Sequence, residues 1–279
     1  MRPWIRSQLK PAVWVACAAL ACTPIWGETI ALSVSPPLIE ESLAAGGDRT
    51  FRVTLTNDGD RTLRAKAEMA DLVLNVSGEP VPREPGSDPW SLAPWVRVDP
   101  AEVELRPGER RQVQCRIRAP RGAAGGRYGA LLFTADREAP LAGSGLRFQT
   151  RTGVVFLVTI ARTERRQAEV AALQARPAEG GVALEAVVRN TGNAHFRAQG
   201  EAVVKDTRDR VLARVRLEGG TGTVLPGGER RFAGRWEATR AEPGRYRLQV
   251  RFRAPGLRGV ERETEFTLPE GEHGQVEPK

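Results

Sequence analysis

The chain is short of the side chains that carry most enzymatic chemistry. It has two histidines, His195 and His273, and neither belongs to a Cys, His, Asp or Glu cluster at metal-ligand spacing. Gly-x-Ser-x-Gly, His-Glu-x-x-His and phosphate-loop patterns are missing. Glu40-Glu41 adjoins Pro36-Pro37 and gives no sign of paired catalytic carboxylates, and Asp58-Gly59-Asp60 suits a hairpin turn better than a calcium loop. His195 follows the turn Asn190-Thr191-Gly192 and is expected to be solvated there; His273 falls in a polar tail. No enzymatic centre, metal or cofactor is expected.

Cysteine is scarce too. Cys17 and Cys22 precede the bulk of the chain, which leaves Cys115 alone. Cys115 alternates with Val113 and Ile117, so it is expected to face a core as a small hydrophobe rather than act as a reactive thiol.

Long apolar runs are also lacking. Arg2, Arg6 and Lys10 followed by a short apolar stretch read as a signal peptide over residues 1–27, too short to span a bilayer. Two ends are open. Cleavage after Gly27 gives a soluble product; Ala19-Leu20-Ala21-Cys22 is a lipoprotein-like box that puts a lipid on Cys22. Either way the protein is expected to be exported and periplasmic, soluble or lipid-anchored at a cell surface. Losing the leader removes three basic residues and no acidic one, so the formal charge falls from +8 to about +5. The remaining positive charge is nearly all Arg, alternating with apolar residues. It suits a solvated surface, or attraction to anionic lipid, glycan or an acidic partner. Export argues against nucleic acid.

Helical patterning is the last lack. Arg162 to Arg176 has helix-friendly composition, but it also suits a linker and a first strand. What the chain does have is Gly and Pro, 29 and 20, and a hidden repeat. Three signatures occur twice in the same order: Val53-Thr54-Leu55-Thr56-Asn57-Asp58-Gly59 and Ala186-Val187-Val188-Arg189-Asn190-Thr191-Gly192; Leu105-Arg106-Pro107-Gly108-Glu109 and Leu225-Pro226-Gly227-Gly228-Glu229; Gly126-Arg127-Tyr128 and Gly244-Arg245-Tyr246. Three matches in register imply two copies of one domain. The Asn-x-Gly turns are expected to use positive φ. So is Pro-Gly, which reverses the chain before a strand. Gly-Arg-Tyr opening a late strand resembles the tyrosine corner of immunoglobulin-type sandwiches.

Between these marks the period is two. Phe51, Val53 and Leu55 share one face, Val113, Cys115 and Ile117 another, and Val182, Leu184, Ala186 and Val188 a third. Short alternating strands between Pro and Gly turns predict an all-β chain of two tandem immunoglobulin-like β-sandwiches. The expected order is a signal peptide (1–27), a first domain (28–161), a second domain (162–268) and a disordered tail (269–279). Domain one carries an extra polar stretch, Gly78 to Pro89, before Trp90 and Trp95, which reads as an elaborated loop. Gly153 to Ile160 is apolar on both faces. It suits either a central core strand or an edge strand that lends backbone bonds to another chain.

The layout resembles the PapD-like periplasmic pilus-assembly chaperones, over about residues 30–160 and more faintly to 268. The resemblance rests on Ile30 to Ser35, Phe51 to Gly59, Leu105-Arg106-Pro107-Gly108-Glu109, the late strand Tyr128 to Asp136, a variable loop Arg137 to Gly145, and the long strand Phe148 to Ile160. It implies a non-enzymatic chaperone that binds pilin-like or other exported protein subunits by β-strand addition at domain one. Its implied donor side chains are Val154, Phe156 and Val158, with Arg151 basic and close to the cleft. The family anchors the subunit carboxylate with two basic residues, and at those positions this chain has Gly153 and an acidic residue near Glu41. A cell-surface structural or adhesive module that binds protein or glycan through loops such as Gly78 to Trp95 is the rival reading. An accessory domain of a glycan-processing system is a third.

Overall fold

The computed structural model describes residues 31–136, 149–238 and 241–269. The leader with Cys22, the loop Arg137 to Gly145 and the tail beyond Pro269 lie outside the described residues.

The first sandwich uses β1 (Leu32–Ser35), β2 (Leu38–Leu43), β3 (Asp48–Asn57), β4 (Leu63–Leu74), β5 (Pro80–Arg83), β6 (Val96–Asp99), β7 (Glu102–Leu105), β8 (Arg110–Arg118), β9 (Gly126–Asp136) and β10 (Gln149–Ile160). The second uses β11 (Ala168–Ala178), β12 (Gly181–Asn190), β13 (Phe196–Arg197), β14 (Gln199–Lys205), β15 (Val211–Leu217), β16 (Thr223–Val224), β17 (Glu229–Trp236), β18 (Gly244–Arg253) and β19 (Val260–Leu268). A single 3-10 turn, Ala93–Trp95, is the one helical element among the described residues.

Two sheets close the first core, one ordered β1-β3-β8-β6 and the other β2-β10-β9-β4-β5, with β7 also on β4. In the second domain β11-β12-β17 faces β15-β14-β18-β19, and β13 and β16 form a short extra pair. Alternation does the sorting. Val113, Cys115 and Ile117 are fully buried between exposed Gln114, Arg116 and Arg118, and Val182 to Val188 behave alike. Each buried aliphatic side chain contributes about 1.5–3 kcal/mol relative to exposure. The first core gathers Leu55, Phe133 and Phe156. The second gathers Phe232, Trp236 and Phe252.

The repeat proves physical at the level of single atoms. Asn57 is fully buried and donates its amide to the carbonyls of Arg61 (2.6 Å) and Leu105 (3.0 Å), while its Oδ1 accepts from Gly59 N–H. Asn190 does the same with Ala194, Val224 and Gly192. The backbone carbonyls of Asn57 and Asn190 accept from Gly108 and Gly227, which share a φ of 73°. Positive φ therefore sits in the Pro-Gly turns as expected. It is absent from the Asn-x-Gly turns, where the side-chain oxygen bends the backbone instead.

The stretch read as an elaborated loop makes a hairpin with β4. Asn75 N–H donates to the Glu79 carbonyl, so odd positions of β5 face β4. Pro80 and Pro82 then face the free edge, where they offer no N–H.

Candidate functional site

The strand singled out in the sequence, β10, is paired unequally on its two sides. Along Gln149–Thr159 it runs antiparallel to β9. On its other side β2 runs parallel to it, but only from Val155 to Ile160. β2 begins late because the chain up to Ser35 belongs to the opposite sheet and crosses over through Pro36-Pro37. The first half of β10 is thus a sheet edge. Val155 donates its N–H to the Pro37 carbonyl on the β2 side, so odd residues of β10 point their backbone groups that way. Arg151 and Gly153 therefore present N–H and C=O outward along the open stretch. Five residues of strand give roughly 16 Å of edge.

Alternation also fixes the side chains. Val154, Phe156, Val158 and Ile160 are fully buried in the core of domain one, where Phe156 meets Phe51 edge-on at 6.1 Å between ring centres. The expected donors Val154, Phe156 and Val158 thus pack into the core of their own domain. Val155 to Ile160 already has strands on both sides. Arg151 is exposed at the open half, with half-buried Thr150 and Thr152 as its neighbours. Leu157, on the opposite face, is buried with Leu72, Tyr128 and Leu225 of domain two. The two apolar faces of this strand are therefore the domain core and the seam between domains.

Cross-strand rows describe the face beside the edge. Lys66, Thr134 and Arg151 form one row; Glu68, Leu132 and Gly153 the next; Ala70, Ala130 and Val155 the third. Ala70, Ala130 and Leu132 are a small buried cluster. An open groove of about 960 Å³ runs here, lined by Glu68, Ala70, Pro82, Arg83, Ala93 and Arg151. Toward domain two a cleft of about 330 Å³ follows, lined by Leu72, Leu74, Trp90, Tyr128, Leu225 and Glu229.

The far end of the open edge meets the domain junction. Arg197 clamps both carboxylate oxygens of Glu40 on β2, at 3.0 and 2.6 Å. His195 Nε2 lies 2.9 Å from the same carboxylate, and its backbone N–H donates to the Tyr128 hydroxyl at 2.8 Å. The Arg197 hydrogen bonds hold the Glu40 carboxyl down at about 2. Burial pushes the His195 imidazole below its ordinary value despite the facing Glu40. A neutral ring donating from Nε2 to Glu40 satisfies this geometry. Burial likewise raises the Tyr128 hydroxyl. His195 is 5% exposed, so the expectation of a solvated loop residue is corrected: docking of domain one closes over it. The tyrosine pair divides as well. Tyr246 donates locally to the Glu242 carbonyl, as a tyrosine corner does, whereas Tyr128 bonds across domains.

Three further contacts weld the junction. Gly126 N–H donates to the Asn193 carbonyl, and Asn193 in turn ties Thr163 and Arg165. The β4–β5 hairpin tip docks on β17, with Arg231 donating to the Val76 carbonyl and to Ser77. Arg230 is buried under that tip and gives two bonds to the Gly219 carbonyl. No cluster of three metal-ligating side chains occurs among the described residues. No helix among them is long and apolar enough to cross a membrane.

No family model and no curated protein matches the chain. Solved structures do. A chain of a chaperone–tip adhesin complex of CFA/I fimbriae aligns at 11% identity and TM-score 0.46, over 84% of this chain and 98% of that one. The class 5 fimbriae chaperone CfaA aligns at 11% and 0.44, over 79% and 92%. A chaperone–tip subunit complex of Csu pili from Acinetobacter baumannii aligns at 13% and 0.39, over 84% and 97%. Each is a likeness at low identity and a TM-score below 0.5, and the two-sandwich architecture stands on the sheets and cores of this chain. Several of the solved structures to which the chain is similar are fimbrial chaperones, and another is a PapD-like domain of human CEP192.

Proposed function

We propose that the protein is a non-enzymatic, periplasmic chaperone-like protein that holds exported protein subunits by taking one of their strands along the open first half of β10. The carrying observation is the interrupted pairing of that strand. Arg151 and Gly153 offer backbone groups at an edge whose continuation, from Val155, is already filled by β2. A partner strand placed there extends the sheet in line with β2, with main-chain bonds supplying affinity. Its outward neighbours are Arg151, Leu132 and Glu68 rather than the buried valines and Phe156. The rival adhesive-loop reading loses support at the two ends of that loop, where Arg230 lies against Gly78 and Trp90 packs into the seam.

The test is Arg151→Pro. Its N–H faces the open edge, so proline there spares the β9 ladder and removes a donor from the edge. Full-length wild type and variant are expressed in the periplasm of the source bacterium and purified with whatever subunits they hold. The expected result is a folded variant, by circular dichroism, that has lost those subunits. A folded variant that retains the same subunits overturns strand addition at this edge.

A further inference from the structure

Several outward-facing arginines of domain two are answered by acids: Arg251 faces Glu261, Arg247 lies 3.6 Å from Glu263, and Arg189 2.6 Å from Glu229, while Arg235, Arg245 and Arg253 form no ion pair among the described residues. The outer face of the β1-β3-β8-β6 sheet of domain one gathers such unanswered arginines on one surface. Register places Arg52 beside Gln114, Arg97 beside Arg116, Asp48 beside Arg118, and Arg110 beside Thr56, all on that face. Arg116 is bound by Asp48. Arg52, Arg97, Arg110 and Arg118 form no ion pair among the described residues and are exposed. Asp48 and Asp99 are the acids these strands turn to this side. The remaining positions are Ser, Thr and Gln.

Such an arrangement has a cost inside the free protein. Like charges directly opposite each other destabilise a sheet; Asp48 offsets Arg116, which leaves Arg97 as the uncompensated member of that pair. The pattern also constrains the partner. Arg97 and Arg116 lie roughly 5 Å apart across the sheet and Arg116 and Arg118 roughly 7 Å apart along it, with Arg52 and Arg110 further out on the same face, so forked donors suited to phosphate oxygens are spread over one surface. The exposed large hydrophobic residues, Leu38, Val76, Val81, Val211 and Leu212, all lie elsewhere, and this face has no exposed aromatic. Protein interfaces concentrate aromatic and apolar residues at their centre and deplete charge there. A charged plane with no apolar centre fits a plane of headgroups better than a folded protein.

We propose that this basic face, on the opposite side of domain one from the open edge of β10, docks on the anionic phosphate surface of a phospholipid bilayer. Attraction of this kind amounts to roughly fivefold in affinity per arginine near the surface. It is screened by salt within a Debye length. The proposal stands independently of strand capture.

The experiment is co-sedimentation of the purified, leader-free chain with vesicles of phosphatidylcholine containing about one-third phosphatidylglycerol, against pure phosphatidylcholine. The double variant Arg52→Gln/Arg118→Gln is compared with Arg208→Gln/Arg235→Gln, which removes equal charge from domain two. Expected are binding to the anionic vesicles alone, loss on raising NaCl from about 0.05 to about 0.3 M, and a drop of roughly 25-fold for the first variant with less than about twofold for the second. Circular dichroism checks that both variants fold. Equal losses for the two variants overturn the assignment of this face and leave only net charge. Failure of the wild type to bind anionic vesicles overturns the proposal outright, as does binding that persists in the first variant.

Discussion

Arg197 and Glu40, far apart in the chain, meet with both guanidinium nitrogens on both carboxylate oxygens, and His195 completes the contact from the same side. This contact joins β2, the strand that ends the open edge, to domain two. The contact between the domains therefore includes a side chain of the strand that continues that edge.

Acid is expected to loosen this junction. His195 is held below its ordinary value of 6.5 by burial, so its contribution is complete above about pH 6.5 and is lost as pH falls below it. Glu40 is held at about 2 against 4.5, so its contribution is lost between about pH 4.5 and 2. Both signs agree. Because the Glu40 and Arg197 side chains are about 40% exposed, their pair contributes only about 1 kcal/mol. Thermal denaturation followed from pH 7.5 downward is expected to show a first loss near pH 6 that His195→Gln abolishes. An unchanged profile in His195→Gln contradicts the assignment.

Removing the Tyr128 hydroxyl leaves the His195 N–H buried without an acceptor. Tyr128→Phe is expected to cost about 1–3 kcal/mol. Tyr246→Phe removes a partly exposed local bond and is expected to cost about half that. Urea denaturation of the two variants measures the difference.

Asn190 satisfies two buried carbonyls, and Asn57 one buried and one partly buried carbonyl. Replacing either with Ala strands both and is expected to cost about 2–3 kcal/mol. Because the two sites lie in separate cores, the double variant should show the sum of the losses to within about 0.5 kcal/mol. A loss confined to one site means the duplicated turn does unequal work in the two domains.

Core and edge positions of β10 should separate cleanly. Phe156→Ala is expected to lower the stability of domain one by about 3–5 kcal/mol, because it empties a fully buried ring site. Thr152→Pro should break the β9 ladder, since even positions of β10 turn their N–H toward β9, while Arg151→Pro should not. Chemical denaturation separates these three, independent of any partner.

Cys115 is fully buried, and desolvation pushes its thiol up to about 12. A thiol reagent at pH 8 is expected to leave it unmodified in the folded chain and to modify it in denaturant. Rapid labelling of folded protein contradicts the core placement.

The two sandwiches were legible because burial follows alternation, and alternation is written locally. Val113-Gln114-Cys115 and Val182-Ala183-Leu184 read the same in the sequence and in the sheets. The Asn-x-Gly and Pro-Gly repeats were legible too, although the work of Asn57 lies in its amide and not in its φ. The position of the open edge was not. Gly153 to Ile160 announces a strand covered on both faces, but the residue where β2 begins to pair with it depends on a crossover more than 100 residues earlier. His195 misled for the same reason. Beside a turn it reads as solvated, and only Tyr128 and Glu40, contributed by domain one, bury it. The one available hint was the paired Gly-Arg-Tyr, whose first copy turned out to bond across domains.

Pro80 and Pro82 have a consequence for assembly. With no donors turned outward at Pro80 and Pro82, β5 cannot support a regular ladder, so a second molecule is kept from extending the sheet that carries β10 at that strand.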